Sequence, residues 1–183
     1  MTSLSSQRGA ALLVALMILS IVSILGVVAM RTSMFNAKIT TTAQVSTITF
    51  DGAESALSAV YSEAVFIPQT DPTSIIFQLV NGYQDGVSVV VDRCVGKGAG
   101  ELFMARACGA NDVADSRNLL RAGSRTVMKG FSSAPYLSSI SSTGGSNVNF
   151  VWYEFMSVGK GEVEVFNAEQ INEQHFAKIG IAF

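Results

Sequence analysis

The chain divides by the spacing of its apolar positions. From Ala10 to Met30 it runs 21 residues without a charge, with Arg8 just before and Arg31 just after. At 1.5 Å per residue, a helix of that length spans about 30 Å, the thickness of a bilayer core. Beyond it the pattern turns amphipathic. Ala53, Leu57, Val60 and Ala64 recur at helical spacing and form one face, with Glu54, Ser58 and Tyr61 beside it. Residues 31–64 contain no proline, so the spacing predicts one helix from the apolar run to about Val65, stopped by Pro68 and Pro72. "ITTTAQVSTIT", 39–49, is rich in β-branched residues, which are weak helix formers alone, so packing is expected to sustain it. Gly52 lowers local helix stability by about 1 kcal/mol.

After the prolines the period shortens. Ile75 to Val80 is an apolar stretch that fits a helix or a strand. "GVSVVVDR", 86–93, reads as a strand and "GKGAG", 96–100, as a turn or loop. "ADSRNLLRAG", 114–123, reads as one or two helical turns capped by Asp115 or Ser116 and ended by Gly123. The Ser/Gly-rich segment between Phe131 and Asn147 reads as an exposed connection. The β signal is clearest at the end: "NVNFVWYEFMSV" (147–158), a "GKG" hairpin turn (159–161), "EVEVF" (162–166) with Val163 and Val165 on one face, and "HFAKIGIAF" (175–183). Three or four antiparallel strands packed on the second half of a long helix make an α+β fold.

Composition changes this picture little. Of 183 residues, 12 are basic and 14 acidic, for a formal net charge of -2. The basic residues are scattered, so there is no nucleic-acid-binding signal. Cys94 and Cys108 lie fourteen positions apart, outside any CxxC pair and far from the single histidine, His175, which argues against a zinc site. If this part of the chain crosses the membrane, a disulfide is expected, closing a loop for about 3 kcal/mol in the chain-entropy model. Two unpaired thiols are the alternative.

The apolar run itself admits three readings. It is longer than the core of a secretory signal peptide, and Arg31-Thr32-Ser33-Met34-Phe35 after it is no small-residue cleavage site. A plain membrane anchor fits the length, but Arg8 and Arg31 balance and set no orientation. In the third reading the chain is cut before the run. "QRGAALLVALMILSIVSILGVVAMRTS", 7–33, resembles the N-terminal region of PilX-type minor pilins, and "FDGAESALSAV", 50–60, resembles that family's alanine-rich segment around a glutamate. The resemblance implies a type IV pilin-like fold, with the first half of its helix transmembrane and an antiparallel sheet forming the head. It implies cleavage after Gly9 by a prepilin peptidase and N-methylation of Ala10. The organisation would be a leader at 1–9, a membrane or filament-core helix at 10–30, its amphipathic continuation at 31–65 and a periplasmic or extracellular head at 66–183.

The fifth position after that cut is Val14, where major pilins carry a glutamate that meets the N-terminal amine of a neighbouring subunit. A buried amine without such a partner is costly. A subunit with Val14 is thus a poor repeating unit and suits a place with no subunit above it, such as a filament tip. The partners implied are other minor pilins, major pilin subunits, the prepilin peptidase, the inner-membrane assembly machinery and, before assembly, the lipid bilayer. A pseudopilin of type II secretion shares the same N-terminal physics, although about 118 residues of head leave little room for the inserted domain its K-type members carry. A membrane-anchored binding module is the third alternative. The chain has no HExxH, GxSxG, Walker or calcium-loop motif. No enzyme, cofactor or metal is expected.

Overall fold

The computed structural model describes residues 8–96, 105–109, 112–115, 117–133, 140–141, 147–148 and 150–182. Helix α1 (Arg8–Phe66) is the first element. It is followed by α2 (Ile75–Gln84), β1 (Val90–Val95), β2 (Ala105–Arg106), β3 (Arg121–Ser133), β4 (Ile140–Ser141), β5 (Asn147–Val148), β6 (Phe150–Val163) and β7 (Ala168–Ile181). The chain separates into two compact units, residues 1–44 and 45–183.

In the first unit the described residues are helical, and residues 10–44 are exposed throughout. The threonine-rich segment is helical as expected, but residues 39–44 are exposed. The hydroxyls of Thr40, Thr41 and Thr42 instead donate to the carbonyls of Asn36, Ala37 and Lys38. This local bonding gives each hydroxyl an acceptor along the helix.

The second unit is an α+β head. The sheet has the order β2-β1-β3-β6-β7 with every neighbouring pair antiparallel, and β4 pairs separately with β5. Residues 45–66 of α1 lie on one face of this sheet. Ala53, Leu57, Val60 and Ala64 are all buried, as their spacing predicts, while Glu54, Ser58 and Tyr61 are exposed. The ambiguous Ile75–Val80 stretch is helical, capped by Ser74, whose hydroxyl accepts from the Ile76 N–H. Ile75, Ile76 and Leu79 join Val60, Tyr153 and Phe155 in the main core.

Five local expectations are corrected. "GKG" at 159–161 is no hairpin turn but part of β6, under the helix. A Cβ on Gly161 would stand 1.9 Å from the Thr49 carbonyl oxygen, and one on Gly159 2.5 Å from that of Ala53. The two glycines let helix and strand backbones approach directly.

The β6–β7 turn falls instead at Glu164–Phe166, closed by Asn167 in the left-handed region (φ 47°). Val165 is therefore exposed, whereas Val163 is buried. The described residues of 114–123 are not helical: the Asp115 carboxylate accepts from the backbone N–H groups of Arg117, Leu119 and Leu120, making a turn, and β3 starts at Arg121, while Ser116, the other cap candidate, lies outside the described residues.

The strand expected at 86–93 begins only at Val90, because Gly86 (φ 69°) and the Val87 N–H bond to Gly82 fold the preceding residues into a loop. The last strand is longer than expected and begins at Ala168. Of the Ser/Gly connection, residues 131–133 extend β3 and 140–141 pair with 147–148, while the rest lies outside the described residues, as does most of the 96–100 loop.

Candidate functional site

The residues that the sequence singles out fall in separate places. Leader residues 1–7 lie outside the described residues, and Arg8 and Gly9 begin α1. Ala10 and Val14 share a helix face with Ala11, Ala15 and Ile18 around a shallow depression, and Val14 is 53% exposed. Val14 offers a neighbouring group only methyls. The large apolar side chains along the run, from Leu12 to Met30, are each more than half exposed. The helix is long and apolar enough to cross a membrane by length and composition. Among the described residues this apolar surface stays exposed, the kind of surface that lipid or another polypeptide can cover.

At the end of this surface Arg31, Met34, Phe35 and Lys38 line one face, two cations bracketing two apolar side chains. The spacing i, i+3, i+4, i+7 makes this one stripe of the helix. Long basic side chains of this kind can keep their charges in water beside an apolar surface.

In the head, Cys94 and Cys108 are joined in a disulfide that links β1 to the segment after β2. It lies beside a groove of about 540 Å³ on the sheet face opposite α1, which also includes Asp92, Arg125, Lys160 and Ile171. The cations there are paired. Arg125 Nε donates to Asp92 at 2.9 Å, and Lys160 stands 2.9 Å from Glu162 and 3.0 Å from Glu169. Hydrogen bonds to these carboxylates hold the Lys160 ammonium above the usual lysine range. Arg125 and Lys160 at this groove are thus each engaged by a carboxylate. Among the described residues no group of three or more His, Cys, Asp or Glu side chains could hold a metal ion.

The structure adds a charged knot that the sequence reading missed. Glu63 on α1 and Arg93 on β1 are 2% and 7% exposed. Arg93 Nε donates to Glu63 Oε2 at 2.9 Å and Nη2 to Oε1 at 3.1 Å, a two-pronged pair. Glu63 Oε1 also accepts the Ile75 N–H at 2.9 Å, and Arg93 Nη2 donates to the Thr73 carbonyl at 3.0 Å. One ion pair therefore fixes the end of α1, the start of α2 and the sheet. Nearby, the Lys178 ammonium donates to the Ala64 carbonyl, and burial pushes its pKa down. These groups set the geometry of the head.

A long apolar N-terminal helix with its C-terminal segment packed on an antiparallel sheet is a pilin-like α+β fold. Residues 8–58 match the model of the PilX N-terminal family. That stretch of the chain is similar to the N-terminal region of a family of type IV pilus minor pilins. The apolar helix is consistent with a membrane-anchored pilin. No curated protein and no solved structure matches the chain.

Proposed function

We propose that this chain is a minor pilin that is cut after Gly9 by a prepilin peptidase, N-methylated on Ala10, and used with other minor pilins to prime pilus assembly at the filament tip. The observation that carries the reading is an apolar run, exposed among the described residues, that begins at the small residue Ala10 and lacks a carboxylate at Val14. Held first in the inner membrane with the head in the periplasm, the helix exchanges lipid for the helices of neighbouring subunits when the assembly machinery draws it out. Its apolar surface is satisfied in both settings, so the transfer is thermodynamically feasible. The missing carboxylate matters at the top of a stack. A subunit that receives no amine from above needs no acid to meet it, and an unpaired carboxylate there would carry its own desolvation cost.

In this reading residues 10–30 enter the membrane and then the filament core, 31–65 continue the helix, and 66–183 form the head that meets other minor pilins and the first major subunits. Deleting the gene tests the priming role. Surface pili are expected to fall sharply and to return with the wild-type gene. Normal pilus abundance in the deletion strain would reject priming.

A further inference from the structure

The two edges of the head sheet differ. One edge is β2, two residues long. The other is β7, fourteen residues from Ala168 to Ile181, paired with β6 in one continuous register. Long edge strands present a row of unpaired backbone groups, which proteins usually blunt with proline, outward lysine, a bulge or a cover. β7 has no proline. Its only lysine, Lys178, is turned to the Ala64 carbonyl of α1. The C-terminal end is partly covered, because Gln69 Nε2 donates to the Ile179 carbonyl at 3.1 Å. From Ala168 to Ala177 no strand among the described residues pairs with the outer side.

The side chains along this open stretch have a definite character. Glu169, Ile171, Glu173 and His175 alternate along one face, and Ile171 is 56% exposed. Glu169 is compensated by Lys160. Glu173 has only His175, at 2.7 Å, as its ion-pair partner among the described residues. On the other face the exposed Glu54 of α1 reaches Asn172 and has no lysine or arginine beside it among the described residues. The edge is therefore acidic at its middle and aliphatic one step away.

We propose that the 168–177 edge of β7 accepts an extended strand from another protein, one carrying a basic residue opposite Glu173 and β-branched apolar residues on either side of it. Backbone hydrogen bonds would supply the attachment, and the alternating side chains would supply register and selectivity. A second copy of this chain fits less well, because its own edge is also acidic. The proposal stands on the head alone and does not depend on the pilus role.

The test uses the full-length chain in detergent micelles and two nine-residue peptides of alternating valine and threonine, one with a central lysine and one with a central glutamate. The lysine peptide is expected to slow amide hydrogen exchange across 168–177 about tenfold and to bind about fivefold tighter than the glutamate peptide. Glu173→Lys should reverse that preference, and Ile171→Lys should abolish binding by both, with circular dichroism unchanged in each variant. Unaltered exchange at 168–177 under saturating peptide would overturn the proposal. So would equal binding of both peptides to the wild type and Glu173→Lys chains, or exchange already slowed by pairing of β7 with β7 of a second copy.

Discussion

Glu63 and Arg93 show what single residues contribute to this head. Each is charged, each is buried, and each would be costly without the other. Removing one partner of such a pair costs about 3–5 kcal/mol, because the survivor stays buried and unpaired. Arg93→Met should therefore lower stability by about that amount. Adding Glu63→Gln should recover part of the loss, since the amide oxygen can still accept the Ile75 N–H while the stranded charge is gone. Urea midpoints of the wild type, both single variants and the double variant check this; a double variant less stable than Arg93→Met would contradict it. Gly161 acts by absence. A methyl there would meet the Thr49 carbonyl and the Ala53 nitrogen, both backbone atoms of a helix that cannot step aside. Gly161→Ala should cost about 3 kcal/mol, the upper end of the usual overpacking range, and the same denaturation experiment reads it. Neither role was legible in the sequence. The ion pair joins positions thirty residues apart, and G-K-G between two β-rich runs is also the pattern of a hairpin turn.

The helices and strands were unequally legible. The buried face of α1 followed from the 3.6-residue period alone, since Ala53, Leu57, Val60 and Ala64 are large or small but uniformly apolar. β3 was missed because its buried positions are Ala122, Ser124 and Thr126, small and partly polar residues whose alternation hydrophobicity does not reveal. Thr126 and Ser157 satisfy each other's hydroxyls across β3 and β6 at 2.9 Å, so a strand of modest apolarity can still be buried. The turn before β3 was misread because Asp115 is equally fit to cap a helix. Its bonds to the Leu120, Leu119 and Arg117 N–H groups hold the carboxyl below its ordinary value of 3.8. A depressed acid stabilises the fold above the unfolded value, and that contribution fades as the pH falls through the folded one. Asp115→Asn should thus be less stable than the wild type at pH 6, with the gap narrowing as the pH drops below about 4. A gap that stays constant over that range would show that the charge of Asp115 does not hold the turn.

At the scale of the whole chain, the two compact units answer to different solvents. Residues 45–183 bury a core of their own and carry the disulfide. Residues 10–44 expose almost every apolar side chain they have, which in water would be a liability and in lipid or a helical bundle is a fit. The apolar run, its length and its glycine boundary were plain in the sequence, because a membrane span is a matter of composition over about twenty residues. The head's docking edge was not, because strand order is a long-range property. What most needs testing is that the apolar helix is cut at its front and kept. The direct measurement is the mature N-terminus, by mass spectrometry of the protein from membranes and from sheared filaments. A chain beginning at N-methylated Ala10 is expected in both fractions, scarce in the filaments. A chain that keeps residues 1–9 and is found only in membranes would contradict it.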